Sequence, residues 1–263
     1  MTANAKHGGA AGAAYHVGID LGTTHTVVAF CASGAPGDAA PSTEILLVPQ
    51  LVSENEVQAL RWLPSFLYAP SASESVADPW QELPWLVGQY ARRRGQEVSE
   101  RSVASVKSWL SHAGVARRDA ILPWGADAAK TPKISPVEGS RRLLAHVQRS
   151  WDEAFPEQPL AAQSVVLTVP ASFDEVAREL TVEAAELAGL RVRLLEEPQA
   201  AFYDLIAGER RASIEDLITN ERPSAVVLVC DVGGGTTDLT LIEVRRSAPG
   251  ALELDRVAVG RHL

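Results

Sequence analysis

The stretch VCDVGGGTTDLTLIEV, residues 229–244, places three consecutive glycines between two apolar runs. Glycine weakens a strand, because it costs backbone entropy and packs no side chain. One interpretation is a flexible hairpin turn. The other is a turn whose backbone approaches a charged ligand, with amide groups left free to donate hydrogen bonds.

The same order of residues occurs near the start of the chain. There the stretch VGIDLGTTHTVVAF, residues 17–30, runs from an apolar strand through Asp20, an apolar residue, a glycine and paired threonines into a second apolar strand. One such turn is ordinary turn chemistry. Two matching turns, each after an apolar strand and each opening a meander of strands, indicate that a whole structural half is duplicated.

The two turns share a chemistry that suits a polyphosphate. Glycines leave amide groups unpaired and let a phosphate approach without a Cβ in the way, while the threonines add hydroxyl donors. Carboxylates repel phosphates unless a cation lies between them, so Asp20 and Asp231 imply hydrated Mg²⁺. Two such turns facing each other would clamp a nucleotide.

The composition disfavours several other kinds of protein. The chain has 263 residues and a formal net charge of −9, whereas nucleic-acid and anionic-membrane binding both need a basic face. No apolar run reaches the roughly 20 residues of a membrane helix. Residues 1–14 lack the features of a signal peptide and are expected to be a disordered lead. The two cysteines are too few for a disulfide framework or a zinc site, and favour a reducing cytoplasm.

The chain between the two turns predicts a layered α/β domain. A third strand is expected at residues 43–50, and an amphipathic helix that carries Lys107 at residues 97–114. The tryptophans of the irregular stretch 52–135 are expected in the core. Helices then alternate with buried strands, which predicts β-α-β units and a partly parallel sheet. The helical segments are residues 134–155, 172–190 and 198–208.

With these motifs the sequence resembles the 70-kDa heat-shock chaperones, within the actin and sugar-kinase superfamily. IDLGTT and DVGGGTTD resemble that family's two phosphate loops, and RWLPSFLY resembles the segment after its first meander. VGQYARRRG…SVKSWL resembles the stretch with its catalytic lysine. The strongest match is VVLTVPASFDEVARELTVEAAELAGLRVRLLEEPQAAFYD. The motifs follow one another in the family's order from about Tyr15 to Val259.

The resemblance implies an Mg²⁺-dependent ATPase that binds ATP and ADP. Asp20 and Asp231 would hold hydrated Mg²⁺, and Lys107 would offset charge on the transferred phosphoryl group. Glu197, Asp231 and Thr236 would position the attacking water, which is chemistry of placement and electrostatics. The phosphate contacts would come from Gly22, Thr23, Thr24, Gly233, Gly234, Gly235, Thr236 and Thr237.

Other residues of the motifs have a structural or a functional interpretation. Pro170 and Arg178 match positions through which the family relays nucleotide state to a peptide-binding domain, but alone they would be a strand stop and a surface charge. Lys107 alone would be a solvated lysine, and Glu197 before a proline favours a helix N-terminus. His25 stands where the family usually has asparagine or tyrosine, and is expected to be a neutral loop residue.

The resemblance also implies an actin-like ATPase fold, which is ribonuclease H-like. Residues 15–51 and 136–212 would form the core of lobe I, residues 52–135 an inserted subdomain, and residues 222–263 the start of lobe II. Lobe I would be complete, while lobe II would be truncated after its first three strands, without the family's adenosine-binding residues or peptide-binding domain. We therefore expect weak nucleotide affinity and self-association through the unfinished lobe II. The full-length protein would bind unfolded peptide clients, J-domain co-chaperones and nucleotide-exchange co-chaperones.

Two other functions fit the two turns. A sugar or metabolite kinase of the superfamily would share them, but should carry a catalytic aspartate for a sugar hydroxyl and lack VPASF…EEPQAA. A non-enzymatic actin-like scaffold would fit a chain that cannot complete its site. The gene downstream of Leu263 would discriminate, because a glycine-rich adenosine loop followed by a β-rich domain would support the chaperone.

Overall fold

The computed structural model describes residues 12–34, 42–74, 76, 80, 85–208, 211–219, 221–234, 237–248 and 251–260. These residues form a mixed α/β protein with several sheets, divided into two compact units. The first unit is Met1–Leu167 with Glu175–Leu194, and the second is Thr168–Asp174 with Leu195–Leu263. Within the described ranges, no helix is long and apolar enough to span a membrane.

The elements are numbered along the chain. The strands are β1 (Tyr15–Leu21), β2 (His25–Ala32), β3 (Glu44–Ile45), β4 (Val48–Ser53), β5 (Glu56–Leu60), β6 (Leu63–Pro64), β7 (Phe66–Tyr68), β8 (Leu86–Val87), β9 (Ser102–Ala104), β10 (Ser164–Val169), β11 (Val192–Glu196), β12 (Ser224–Val232), β13 (Thr237–Ala248) and β14 (Ala251–Val259). The α-helices are α1 (Gln89–Glu97), α2 (Val106–Ser111), α3 (Pro136–Ala154), α4 (Glu175–Leu187), α5 (Glu197–Ala207) and α6 (Arg211–Glu215). Two short 3₁₀ helices span Ser99–Arg101 and Leu160–Ala162.

A six-stranded sheet organises the first unit, with the spatial order β11-β10-β1-β2-β3 and with β6 paired to β2. β1 pairs parallel with β10 and antiparallel with β2, which confirms the predicted partly parallel sheet. Ile19 and Val28 are completely buried on these central strands. The first hairpin is therefore part of the core of its unit.

Helix α3 lies within the helical segment predicted at residues 134–155. The hydroxyl of Ser135 accepts a hydrogen bond from the backbone N–H of Glu138 at 3.0 Å, and Pro136 occupies a first-turn position that tolerates proline. Trp151, near the end of α3, is completely buried and packs edge-to-face against Phe30 of the sheet, with ring centroids 5.2 Å apart. The periodicity of the sequence was sufficient to locate this layer.

The predicted third strand at residues 43–50 is wrong as a single element. The chain leaves the sheet after Leu46, whose N–H donates to the Val28 carbonyl at 2.9 Å. β4 then pairs with β5 in a separate two-stranded sheet. Pro49 pairs with Ala59 in this ladder, and a residue without an N–H is tolerated in a two-stranded sheet, where every strand is an edge strand.

The helix predicted at residues 97–114 is also wrong over most of its length. α1 ends at Glu97, β9 pairs with β7, and only the short α2 is α-helical in this segment. Val103 is buried opposite Leu67 in that pairing, and Ser105 adopts a left-handed φ of 56° before α2. The β-branched Val103 gains more from strand packing than from the helix that its spacing suggested.

The expectation of a tryptophan core in residues 52–135 holds only in part. Trp85 is 2% exposed, whereas Trp62 is 52% exposed and Trp124 is 62% exposed. Trp124 stacks on Trp109 with ring centroids 5.2 Å apart. These two tryptophans therefore pack against each other near the protein surface.

The second unit contains a three-stranded antiparallel sheet in the order β12-β13-β14. One face packs against α5 and α6 around Phe202, Ile214 and Ile242. The opposite face, which we call the outward face, carries Val226 and Leu228, exposed by 58% and 57%. The unit is therefore packed on one side of its sheet in the described part of the chain.

Candidate functional site

The first glycine turn joins β1 to β2 and comprises Gly22–Thr24. A Cβ on Gly22 would lie well inside 3.0 Å of the carbonyl oxygen of His25. Only glycine lets the backbone close so tightly at this position. Asp20 is exposed in β1, and the buried Leu21 separates it from the turn.

Neighbouring strands hold the first turn in place. The N–H of Ser65 donates to the Thr24 carbonyl at 2.9 Å. The hydroxyls of Thr26 and Ser65 lie 3.0 Å apart, and both residues are completely buried. Thr23 and Thr24 are half-buried, so the turn is held in place at the end of two interior strands rather than being a loose loop.

The second glycine turn joins β12 to β13. Gly233 and Gly234 are exposed, and β13 begins at the half-buried Thr237. Gly235 and Thr236 lie outside the described residues. The second hairpin thus reproduces the predicted order of strand, aspartate, glycine turn and strand.

The second hairpin also carries a carboxylate that the sequence analysis missed. Asp231 is directly opposite Asp238 in the β12–β13 ladder, and Asp238 is 5% exposed. Like charges directly opposite each other destabilise a sheet, so this pair suits a cation. Among the described residues no group of three or more His, Cys, Asp and Glu side chains could hold a metal. The signal in the sequence was the symmetry of the turn, because an aspartate stands on each side of GGGTT.

Lys107 is buried, which differs from the solvated lysine that its position alone suggested. It lies in α2 and is 5% exposed. The helix packs closely on α3, since a Cβ on Gly139 would lie 2.7 Å from Cγ1 of Val106. A buried ammonium group needs polar or charged partners, so Lys107 lies in a defined position within the first unit rather than in bulk solvent.

Glu197 is the first residue of α5, followed by the buried Pro198. The residue before it, Glu196, forms an ion pair with Arg256 of β14. Glu196 is 12% exposed at its side chain, and this pair ties the start of α5 to the sheet of the second unit. Glu197 itself is half-buried. The ion pair therefore fixes the backbone that presents Glu197.

The two relay candidates occupy different units. Pro170 is buried in the second unit, where its carbonyl accepts from the Phe173 N–H at 3.2 Å. Arg178 lies on α4 in the first unit, in a shallow groove of about 560 Å³. The groove is otherwise lined by Glu175, Glu179, Val182, Glu183, Glu186 and Leu194.

The candidate residues divide between the two units. The first unit contains Asp20, Gly22–Thr24 and Lys107. The second contains Asp231 and Glu197, with the described part of the second turn. Each unit therefore presents a glycine turn preceded by an aspartate, together with further charged candidates, which are Lys107 and Arg178 in the first unit and Glu197 and Asp238 in the second.

The comparisons with known proteins identify the family. The sequence model of the Hsp70 family, described as Hsp70 protein, matches residues 82–263. The chain belongs to the Hsp70 family.

Curated relatives extend the Hsp70 match across most of the chain. A chaperone protein HscA homolog of Actinobacillus pleuropneumoniae serotype 5b (strain L20) is 34% identical over 238 residues, and the HscA chaperone of Photorhabdus laumondii is 30% identical over 244. An HscA homolog of Histophilus somni (strain 2336) is 31% identical over 246 residues. Each alignment covers 88% of this chain and 33% of the relative. The Hsp70-family chain spans about a third of the length of these relatives.

Proposed function

We propose that the chain is the N-terminal ATPase part of an Hsp70-like molecular chaperone. The fold would be the actin-like ATPase fold, with lobe I complete and lobe II carried as far as its first three strands. One observation supports this most: strand, aspartate, glycine turn and strand occur once in each unit of an Hsp70-family chain. ATP or ADP would be the ligand, with Mg²⁺.

The first turn would bind phosphate through its backbone. Gly22–Thr24 would donate amide hydrogens, and the two threonines would add hydroxyl donors. The second turn would act in the same way through Gly233–Thr237. Gly22 suits phosphate binding by the first turn, because its missing Cβ allows the backbone to close on His25.

The aspartates would serve the metal ion. Asp20 and Asp231 would hold hydrated Mg²⁺, which would supply the positive charge that lets carboxylates lie near phosphates. The facing carboxylates of Asp231 and Asp238 fit this role, because a shared cation would relieve their repulsion. Asp238 thus joins the predicted ligands as a neighbour of the metal.

The remaining candidates would act on the reaction. Lys107 would offset the charge on the transferred phosphoryl group. Glu197, Asp231 and Thr236 would orient the attacking water. Pro170 and Arg178 would relay the nucleotide state to a peptide-binding domain in the full-length protein.

The other parts of the proposal rest on the family. Residues 15–51 and 136–212 would be the lobe I core, 52–135 its insertion and 222–263 the start of lobe II. Clients would be unfolded peptides, with J-domain and nucleotide-exchange partners.

The Hsp70 match favours this function over a sugar kinase. A non-enzymatic scaffold remains the alternative that the binding experiment tests, and the cytoplasmic location stays a prediction.

Calorimetric titration of the full-length protein with Mg·ATP tests the proposed function. We expect Asp20→Asn and Asp231→Asn to lower the affinity by about tenfold or more, because each removes a charge from the metal site. Asp119→Asn and Asp216→Asn are matched controls, since these aspartates are exposed in the first and second units. A full-length protein that binds no nucleotide would support the scaffold instead.

Hydrolysis rates separate binding from catalysis. Lys107→Met and Glu197→Gln should lower kcat far more than they change the affinity for Mg·ATP. An equal fold loss in affinity for Mg·ATP and in kcat would indicate that these residues maintain the folded site rather than act on the reaction. For the 263-residue chain alone we expect weak binding, and low-micromolar affinity would contradict that expectation.

Self-association is the other proposed property of the chain alone. The outward face of β12 exposes Val226 and Leu228, which supports self-association through this sheet. Light scattering over a range of concentrations tests this, and a strict monomer at high concentration would contradict it.

A further inference from the structure

Three consecutive arginines on α1 differ in what surrounds them. Arg94 forms ion pairs with Glu74, at 2.6 Å, and with Glu97. Arg93 is exposed and lies over the ring of Tyr90. Arg92 is half-buried, and among the described residues no carboxylate lies within ion-pair distance of it.

Arg92 is held in place by neutral groups instead. Its guanidinium carbon lies 5.8 Å from the ring centroid of Phe66 on β7. Its Nη1 lies 3.4 Å from Nε2 of His25, the residue that follows the first turn. The positive charge of Arg92 is therefore oriented beside the turn, and no carboxylate in the described part of the chain pairs with it.

The helix that carries Arg92 is anchored by a buried amide. The side-chain oxygen of Gln50 accepts a hydrogen bond from the Gln89 N–H at 2.9 Å, and its NH₂ group donates to the Trp62 carbonyl at 2.9 Å. Gln50 is completely buried. Gly88, with a φ of 96°, leaves the room for it, because a Cβ there would lie 2.8 Å from the Gln50 side-chain oxygen. Arg92 lies about one helical turn after Gln89, so the same anchor fixes the position of Arg92.

His25 completes the arrangement on the side of the turn. Its carbonyl closes over Gly22, while its imidazole faces Arg92. Burial and the Arg92 charge both lower the pKa of His25. A neutral imidazole accepts from the guanidinium but adds no negative charge, so the net charge of the pair is that of Arg92.

We propose that Arg92 and His25 form an anion-binding site at the edge of the first turn, and that its ligand is a phosphate group of the bound polyphosphate. The inference rests on the proposed function, which brings a polyphosphate to Gly22–Thr24. A guanidinium presents a planar fork of donors that matches phosphate oxygens, and a fork fixed in advance loses little entropy on binding. Arg92 would thus add a side-chain contact to a turn that otherwise binds through its backbone.

Arg93→Gln provides a matched control for Arg92→Gln. Both residues are arginines on α1, and both lie over an aromatic ring, with Arg93 5.4 Å from the centroid of Tyr90. The change in net charge is the same for the two variants. Arg92→Lys keeps the charge but removes the fork, and so separates charge from geometry.

The experiment titrates the full-length protein and its variants with tripolyphosphate and with ATP, each in the presence of Mg²⁺. Arg92→Gln should weaken tripolyphosphate and ATP binding by about tenfold or more, because it removes a charge-assisted contact. Arg93→Gln should stay within about twofold, since screening weakens a charge that makes no contact. The affinity of Arg92→Lys for each ligand should lie between the affinities of the two glutamine variants. Melting temperatures followed by tryptophan fluorescence should be equal for the two glutamine variants.

A second readout follows the contact directly. The imidazole NMR signals of His25 should shift on addition of tripolyphosphate in the wild type, and should shift less in Arg92→Gln. Equal affinity losses in the two glutamine variants, or an unchanged affinity in Arg92→Gln, would overturn the inference.

The outcomes also distinguish the inference from the proposed function. Wild-type binding of ATP that is sensitive to Asp20→Asn but not to Arg92→Gln would overturn only the inference. Binding of tripolyphosphate that depends on Arg92, in a protein that binds no ATP, would support the anion site and overturn the nucleotide function. Binding of neither ligand would overturn both.

Discussion

The two Asp–Gly hairpins share a sequence pattern, but their strands are packed differently. In β1, Val17, Ile19 and Leu21 are buried within a six-stranded sheet. In β12 no residue is buried, and alternate side chains from Val226 to Val232 are exposed. The comparison shows that the residue pattern specifies strand and turn, whereas burial depends on what the rest of the chain packs against each face.

The hairpins also differ at the residue opposite the aspartate. Asp20 lies opposite Val27, while Asp231 lies opposite Asp238. The first hairpin therefore carries one carboxylate on a well-packed strand, and the second carries two on a sheet packed on one side. We therefore expect substitutions in the first hairpin to cost more stability, and cations to affect the second hairpin more.

Ile19→Ala should have the largest effect of the variants that probe this comparison. Ile19 is completely buried, so its truncation should cost about 3 kcal/mol in the free energy of unfolding. Leu228→Ala, on the outward face of the second hairpin, should cost less than about 1 kcal/mol. Urea unfolding followed by far-ultraviolet circular dichroism compares the two. Equal losses would mean that the outward face is packed.

Acid should destabilise the first unit through His146 of α3. Its Nε2 donates to the Pro49 carbonyl at 2.9 Å, and burial lowers the pKa of its imidazole to about 4. Below pH 6.5 the unfolded chain binds a proton that the folded chain excludes, so the stability contribution is complete above that pH and falls progressively towards pH 4. The expected loss is about 3 kcal/mol at pH 4.

Tryptophan fluorescence isolates this acid effect, because all six tryptophans lie in the first unit. Urea midpoints at pH 7 and pH 5 should differ for the wild type. His146→Gln should lower the midpoint at pH 7 and reduce the difference between the two pH values. A variant with the wild-type pH dependence would show that another group is responsible.

Gly22→Ala should open the first turn, while Gly18→Ala should be tolerated in the same hairpin. A Cβ on Gly22 would collide with the carbonyl of His25, whereas one on Gly18 would meet only the Ala29 carbonyl, at 3.9 Å. We expect a cost of about 1–3 kcal/mol for the first and less than about 0.5 kcal/mol for the second. Thermal unfolding measures both, and Mg·ATP titration of the full-length protein should show loss of binding only for Gly22→Ala.

Asp238→Asn should change the stability least among these variants, and it should stabilise the protein rather than destabilise it. Removing one of two facing charges should stabilise the second hairpin by about 0.5 kcal/mol in a chelating buffer. The gain should disappear with Mg²⁺, because the cation then relieves the repulsion in the wild type. Circular dichroism melts with and without Mg²⁺ test this. A loss of stability in both buffers would mean that the Asp238 carboxylate contributes more through its own contacts.

Local periodicity predicted the parts of the fold that it directly encodes. The spacing around Leu143 and Trp151 located α3, and Pro198 and Gly208 marked the two ends of α5. It failed in the segment that contains Val103, since a strand pairing with β7 outweighed a helical spacing. In α4, Val176 is 46% exposed although it stands at helical spacing from the buried Leu180 and Ala184, because tertiary packing selects the buried stripe.

The candidate site was predictable where a motif lies within one stretch of sequence. Asp20 and the glycines were found because each turn is continuous in the chain. The Arg92–His25 contact joins residues that are 67 positions apart, so no local pattern indicates it. The burial of Lys107 likewise depends on packing between helices that are separate in the sequence. Such properties follow from the tertiary structure alone.

Cys230 is a native chemical probe of the outward face of the second sheet. Cys230 is exposed between Leu228 and Val232, whereas Cys31, the other cysteine, is only partly accessible on β2. Whatever covers this face, whether another segment or another copy, would slow the alkylation of Cys230 and leave that of Cys31 unchanged. Mass spectrometry after brief maleimide treatment would therefore measure how completely the sheet is covered, in the native sequence and without an added label.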